Sequence, residues 1–291
     1  MDSISENTQF LEQEDIPYIV KPLRLSVQLL TLYYTLIVRQ ELLFSEKITS
    51  LSLLGFLPNS IIFNPYLFIF LKLLVIVSIV MWIFAKALPI SCWTSFIGYF
   101  TLICFTVESQ LYTKHMYHIV NVSLFAFLLW EISDTRLSNH KQRQSITDLP
   151  FWVYFIIIFY LSLGYTFSGT MKLYFSGIDW LDGIGLQVWV FTAASDGPLR
   201  SIIIENVKIA SILQCLVLIA ETLCILVLFY PRLRLFFGII LVGFHISVEI
   251  MADLQFYGNI LIGTVLFIIT PIAEYWAKHR NLNTKHKTVH T

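Results

Sequence analysis

Charge is scarce in this sequence. Only 13% of residues are Asp, Glu, Lys or Arg, against about a quarter in soluble domains, while 57% are hydrophobic and 15% aromatic. So few charges cannot cover a water-exposed surface, which excludes a soluble globular class and leaves a membrane protein. An excess of either sign is also missing: Lys plus Arg and Asp plus Glu number 19 each, and nothing points to nucleic acid as a partner. A secretory leader is not expected, because the first residues, MDSISENTQFLEQED, are acidic where such a leader starts basic. Cysteines are few, and Cys92, Cys104, Cys215 and Cys224 all fall in apolar stretches without CxxC spacing. They read as inert buried thiols and not as a disulfide framework. No HExxH or comparable pattern occurs, and no metal is expected. Repeats, low-complexity segments and a separate soluble domain are absent as well.

What is present is a series of long apolar runs. A membrane-crossing helix needs about 20 mostly apolar residues, and candidates lie at 18–38, 65–86, 88–107, 114–132, 151–171, 207–230, 235–252 and 258–276. The expected fold is an all-α integral membrane protein, a bundle of about eight transmembrane helices. It divides into an acidic N-terminal tail (1–17), a transmembrane domain (18–276) and a basic C-terminal tail (277–291). Pro65, Pro89, Pro150 and Pro231 fall where turns are needed. The first run is the weakest, because Lys21, Pro22 and Arg24 interrupt it.

Orientation follows from Lys and Arg in the short connections, which cytoplasmic loops retain. The tail carries Lys278, Arg280, Lys285 and Lys287 and no acid. With that tail in the cytoplasm, eight spans also put Arg232 and Arg234, then Arg136, Lys141 and Arg143, then Lys86, then Lys21 and Arg24 on the same side. Both termini are therefore expected in the cytoplasm of a multi-pass cell-membrane protein. The opposite connections, near 39–64, 108–113, 172–206 and 253–257, are mixed or acidic. Within 172–206, Trp180 and Trp189 stand among turn glycines, in the style of a re-entrant or interfacial segment.

Ionisable side chains in hydrocarbon cost about 2.5–3.5 kcal/mol each on insertion scales, so those that persist usually face a cavity or a partner. Under this topology His115, Lys172, His245 and Glu249 converge on the outer half of the bundle. Each has a plainer reading too. A lysine near an interface can reach lipid phosphate, His115 can be a solvated histidine beside Lys114 and His118, and His245 with Glu249, spaced i, i+4, can form a structural bond. Glu221, mid-span, reads as bonding to a neighbouring helix, and Lys72 as snorkelling or pairing.

The segment FSGTMKLYFSGIDWLDG, residues 167–183, resembles the membrane core of the vitamin K-dependent gamma-carboxylase family, the horizontally transferred transmembrane (HTTM) domain. The matching residues are Ser168 and Gly169, Lys172 and Leu173, and Trp180 through Gly183. Upstream, His115-Met116-Tyr117 resembles the family's His-x-Tyr, and downstream Phe244-His245 resembles its Phe-His; the likeness runs over roughly 20–272. The resemblance implies a carboxylase-like or quinol-dependent enzyme using a reduced, vitamin K-like quinone. Lys172 would be the general base, with His115 and His245 lining the pocket or relaying protons and Trp180 and Glu249 beside the cofactor. Met171 stands where the animal enzyme has a further lysine. Only a short basic tail follows the last span, so protein carboxylation is not expected. Small bacterial HTTM proteins of the sporulation-delaying-protein B type are similar in length, and they imply a different role: maturation of, or immunity to, an exported antimicrobial peptide, without catalysis.

The orientation is testable by cysteine labelling. In intact cells an impermeant thiol reagent is expected to modify a Ser195→Cys protein and to spare a Ser138→Cys protein; the reverse pattern would invert the topology.

Overall fold

A computed structural model describes residues 20–38, 64–84, 88–107, 116–137, 151–193, 198–252 and 256–276. His115 and both tails lie outside the described residues. Among the described residues every regular element is helical. Contacts divide the chain into two units, Met1–Ile157 and Ile158–Thr291.

The first unit contains α1 (Val20–Ile37), α2 (Pro65–Ile83), α3 (Leu88–Val107) and α4 (Met116–Leu137), with the start of α5 (Phe151–Ser176). α2 begins where Pro65 predicts a start, since proline needs no N–H partner in the first turn. Asn64 caps it, its Oδ1 accepting from the N–H groups of Tyr66 and Leu67 at 2.9 and 3.2 Å. α1 stays helical through Lys21, Pro22 and Arg24. Arg24 donates to the Trp82 carbonyl at 3.3 Å and lies over the Trp82 ring, 5.3 Å from its centroid. Lys72 Nζ donates to the carbonyls of Leu36 and Val38 at 3.1 and 2.9 Å. Those oxygens close α1, and a cation there also meets the negative end of the helix dipole.

The unit has an apolar core that includes Leu23, Val27, Ile79, Trp82 and Phe127, and it differs from a water-soluble bundle in its outer surface. Gln28, Thr31, Thr35, Ser95 and Asn121 are buried, while Leu25, Leu29, Leu36, Ile69, Phe70, Leu73 and Val77 are exposed. The hydroxyls of Thr31 and Thr35 donate to carbonyls four residues back, at 2.7 and 2.6 Å. Such a surface is stable against hydrocarbon, where each helix satisfies its own backbone and only side-chain polar groups need partners.

The second unit continues α5 into a 3-10 turn (Gly177–Asp182), then α6 (Ile184–Ala193), α7 (Pro198–Glu205) and α8 (Val207–Thr222). A second 3-10 turn (Cys224–Leu228) precedes α9 (Leu233–Ala252) and α10 (Tyr257–Gly263), which passes through a π-turn (Thr264–Ile269) to Trp276. α7 and α8 meet at Asn206 with a bend of 104°. The π-turn, a local widening of the helix, sits where Gly238 of α9 comes closest. A Cβ on Gly238 would lie 2.5 Å from the Phe267 Cβ and 3.0 Å from its carbonyl oxygen. At the ends of the pair, Arg234 of α9 meets Glu274 at 3.5 Å.

A helix occupies each of the eight predicted stretches. Among the described residues four helices are long and apolar enough to cross a membrane by length and composition, namely Pro65–Ile83, Phe151–Asp182, Leu233–Met251 and Tyr257–Trp276, and the bent α7–α8 pair makes a fifth if it counts as one span. The fifth predicted stretch runs on through Asp182 instead of ending at 171. The sixth, expected unbroken over 207–230, ends at Thr222. The cause is a side chain 59 residues away: Thr166 Oγ1 accepts the Ile225 N–H at 2.9 Å. That amide leaves the helical ladder, and the chain tightens into the 3-10 turn.

Gly183 has φ +85° and leaves no room for a side chain, a Cβ falling 2.5 Å from the Ser211 amide nitrogen. Gly183→Ala is therefore expected to lower the thermal unfolding temperature and the folded yield, with left-handed strain alone costing about 1–2 kcal/mol. Gly164, with nothing within 4 Å of its Cβ position, is the control, and Gly164→Ala should leave the transition unchanged or raise it. Equal behaviour of the two proteins in a detergent melting assay would refute the close-packing argument.

Candidate functional site

One face of α8 organises the second unit's polar groups. Val207, Ser211, Gln214 and Glu221 follow helical spacing along it, and two glycines let the chain around Lys172 settle onto it. At Gly169 a Cβ would stand 2.6 Å from both the nitrogen and Oγ1 of Thr222, and 2.9 Å from the Glu221 Cβ. At Gly183 it would meet Ser211 and the Val207 carbonyl oxygen, the latter at 2.7 Å. Between the two contacts, Ser211 donates to the Leu181 carbonyl at 2.5 Å. Of the residues that carry the sequence resemblance, Gly169, Lys172 and Gly183 are thus ones that dock α5 and its 3-10 extension on α8.

This docking puts Lys172 Nζ 2.5 Å from Glu221 Oε2, with the lysine side chain 25% exposed and the glutamate 4%. The Trp180 ring lies beside the same ammonium, its centroid 5.6 Å away, a cation–π distance. Thr222 Oγ1, next to the carboxylate in sequence, has no hydrogen-bond partner. Lys172 is therefore paired with a buried carboxylate of a neighbouring helix. It forms a charge-assisted bond of the stronger kind inside apolar helices.

A second polar group stands on the same face of α5. Tyr165, Gly169 and Lys172 are spaced i, i+4, i+7, and Tyr165 Oη lies 2.8 Å from His245 Nε2 of α9. Asn259 of α10 donates to that same Oη at 3.2 Å. The His245 ring is 6% exposed and packs on Phe256 and Phe244, with centroids at 4.9 and 5.4 Å. Its Nδ1 has no partner, nor has Asn259 Oδ1. Glu249, one turn beyond His245, accepts the Phe256 N–H on Oε2 at 2.8 Å. Phe256 immediately precedes α10, so this bond ties the end of α9 to the start of α10.

Of the residues predicted from sequence, the structure brings Lys172 and Trp180 into contact. His245 belongs to the neighbouring Tyr165 cluster, Glu249 bonds to the α10 start, and His115 lies outside the described residues. Glu221 bonds to a neighbouring helix as expected, and that helix carries Lys172. The sequence reading left the partnership unassigned, although a single acid in one apolar run and a lysine in another were its signal. Tyr165 and Asn259 were missed entirely, since a tyrosine and an asparagine in apolar runs have many plain explanations. Among the described residues no group of three or more His, Cys, Asp or Glu could hold a metal ion.

A family model described as HTTM domain matches residues 38–271. No curated protein and no solved structure matches the chain.

Breaking the pair on one side leaves a buried charge alone, a change that costs about 3–5 kcal/mol in buried pairs. Lys172→Met is expected to lower thermal stability, and Lys172→Met with Glu221→Leu to recover most of the loss. A single Lys172→Met protein as stable as wild type would show that the pair contributes nothing to the fold.

Proposed function

The chain belongs to the HTTM-domain family of membrane proteins, and from that premise we propose that it takes a proton from a reduced, vitamin K-like quinone at Lys172. The observation that carries this is the Lys172–Glu221 contact of 2.5 Å at a site only 25% and 4% exposed. In apolar surroundings an ion pair carries a desolvation penalty. Moving the shared proton from Nζ to Oε2 exchanges two charges for two neutral groups and relieves that penalty. The amine then has a free lone pair. The quinol O–H bond breaks, its proton forms a new N–H bond on Lys172, and the quinol becomes an anion beside the ammonium.

The surroundings suit a lipophilic ligand. Tyr174, Phe175 and Ile178, which follow Lys172, are exposed at 79%, 73% and 79%, so a quinol dissolved in the bilayer meets aromatic and aliphatic side chains first. Trp180 offers a ring face for stacking. His245 lies on the Tyr165 side of the same α5 face and takes the role of a ligand contact. Glu249 acts at one remove, by fixing Phe256 against the His245 ring. The protein works in this reading as a multi-pass cell-membrane enzyme with both termini in the cytoplasm.

The test is oxygen-dependent loss of a reduced naphthoquinone catalysed by the purified protein in lipid nanodiscs. Arginine keeps its charge at any accessible pH and cannot accept the proton, yet it can still pair with Glu221. Lys172→Arg is therefore expected to fold and to lose turnover by about 10²–10⁴-fold, the usual contribution of a general base. Retained turnover in a well-folded Lys172→Arg protein would remove the base from the mechanism. Absent turnover in wild type would favour the peptide maturation or immunity role instead.

A further inference from the structure

Asn259, Tyr165 and His245 come from three helices, α10, α5 and α9, and form one directed chain of hydrogen bonds. Asn259 Nδ2 donates to Tyr165 Oη at 3.2 Å, and Tyr165 Oη stands 2.8 Å from His245 Nε2. A phenol has one proton to donate. If that proton goes to Nε2, the Asn259 donor, the phenol and Nε2 are all satisfied. With Asn259 Nδ2 as the donor to Oη, an Nε2 that carried its own proton and donated there too would leave the phenolic proton without an acceptor in a side chain that is 8% exposed. An unmade bond in such a place is costly. An imidazolium would fail for the same reason, since both its nitrogens donate.

We infer that Asn259 and Tyr165 hold His245 as the neutral Nδ1–H tautomer, which presents that N–H as a hydrogen-bond donor to a ligand oxygen. Nδ1 is unpartnered in a ring 6% exposed, and the ring is fixed against Phe256 and Phe244. A neutral donor held between aromatic rings fits a carbonyl or phenolate oxygen, and does not fit a cation or an amine. The ligand class rests on the quinol reading above; the tautomer does not. His245 then acts on the ligand as a fixed donor and not as a proton relay, because the chain beyond Nε2 runs through Tyr165 to the Asn259 amide, which has no titratable proton to give or take. Tyr165 and Asn259 are positioning residues that act through it.

Nitrogen-15 spectra of histidine-labelled protein in nanodiscs read the tautomer directly, with the His245 signal assigned by its loss in His245→Gln. In wild type the proton is expected on Nδ1. In Tyr165→Phe, with Nε2 released, it is expected to distribute over both nitrogens, and binding of 2-methyl-1,4-naphthoquinone is expected to weaken about tenfold, or 1.4 kcal/mol. In wild type that quinone should shift the Nδ1 proton signal. A wild-type spectrum with the proton on Nε2, or a tautomer unchanged by Tyr165→Phe, would overturn the assignment whatever the quinone does. A quinone that binds without moving the Nδ1 signal would overturn the donor role. If the quinone perturbs no signal of the protein while the proton sits on Nδ1, the quinol reading fails and the tautomer stands.

Discussion

The backbone approach at Gly169 is the contact on which the rest of the second unit depends. A methyl group there would lie 2.6 Å from the Thr222 backbone nitrogen, and no side-chain adjustment relieves a clash with backbone. With hydrogen in its place, α5 comes close enough for Lys172 to reach Glu221 and for Thr166 to take the Ile225 N–H. The ion pair and the end of α8 thus follow from the same approach. Small residues take this role in membrane helices because lipid supplies no hydrophobic drive to bring helices together, so packing and polar bonds must do it.

The pair is also what makes both charges tolerable. A lone lysine or a lone glutamate at such a depth would be expensive, and each is the other's compensation. The compensation is incomplete by design of the geometry: one carboxylate oxygen and Thr222 Oγ1 are not used by Lys172. The site therefore combines a close ion pair with spare polar capacity, while the side chains that follow it, Tyr174, Phe175 and Ile178, are exposed.

Much of the architecture was legible in the sequence, because apolar runs bounded by proline have few ways to fold in hydrocarbon. α2 starts at Pro65 and α5 directly after Pro150 for that reason. What was not legible depends on register between helices. The break at Thr222 comes from a hydroxyl in α5, and nothing within 207–230 announces it. The motif around Lys172 was visible as a resemblance, but its reason was not: Gly169 and Gly183 are required by the shape of α8, a partner far along the chain. Glu249 shows another case, where i, i+4 spacing from His245 suited either a structural bond or a site and the carboxylate accepts from a backbone amide, that of Phe256.

Tyr165 and Lys172 share a face of α5 yet answer to different helices, one to α9 and α10 and the other to α8. This gives the two groups separate supports. A substitution that disturbs the Asn259–Tyr165–His245 chain leaves Gly169 seated on Thr222, and with it the ion pair. A substitution at Glu221 leaves the His245 ring between its two phenylalanines. A buried histidine donor and a close ion pair can in this way be tuned independently, which is the separation that the proposed removal of a proton at one atom and stabilisation of the resulting charge at another requires.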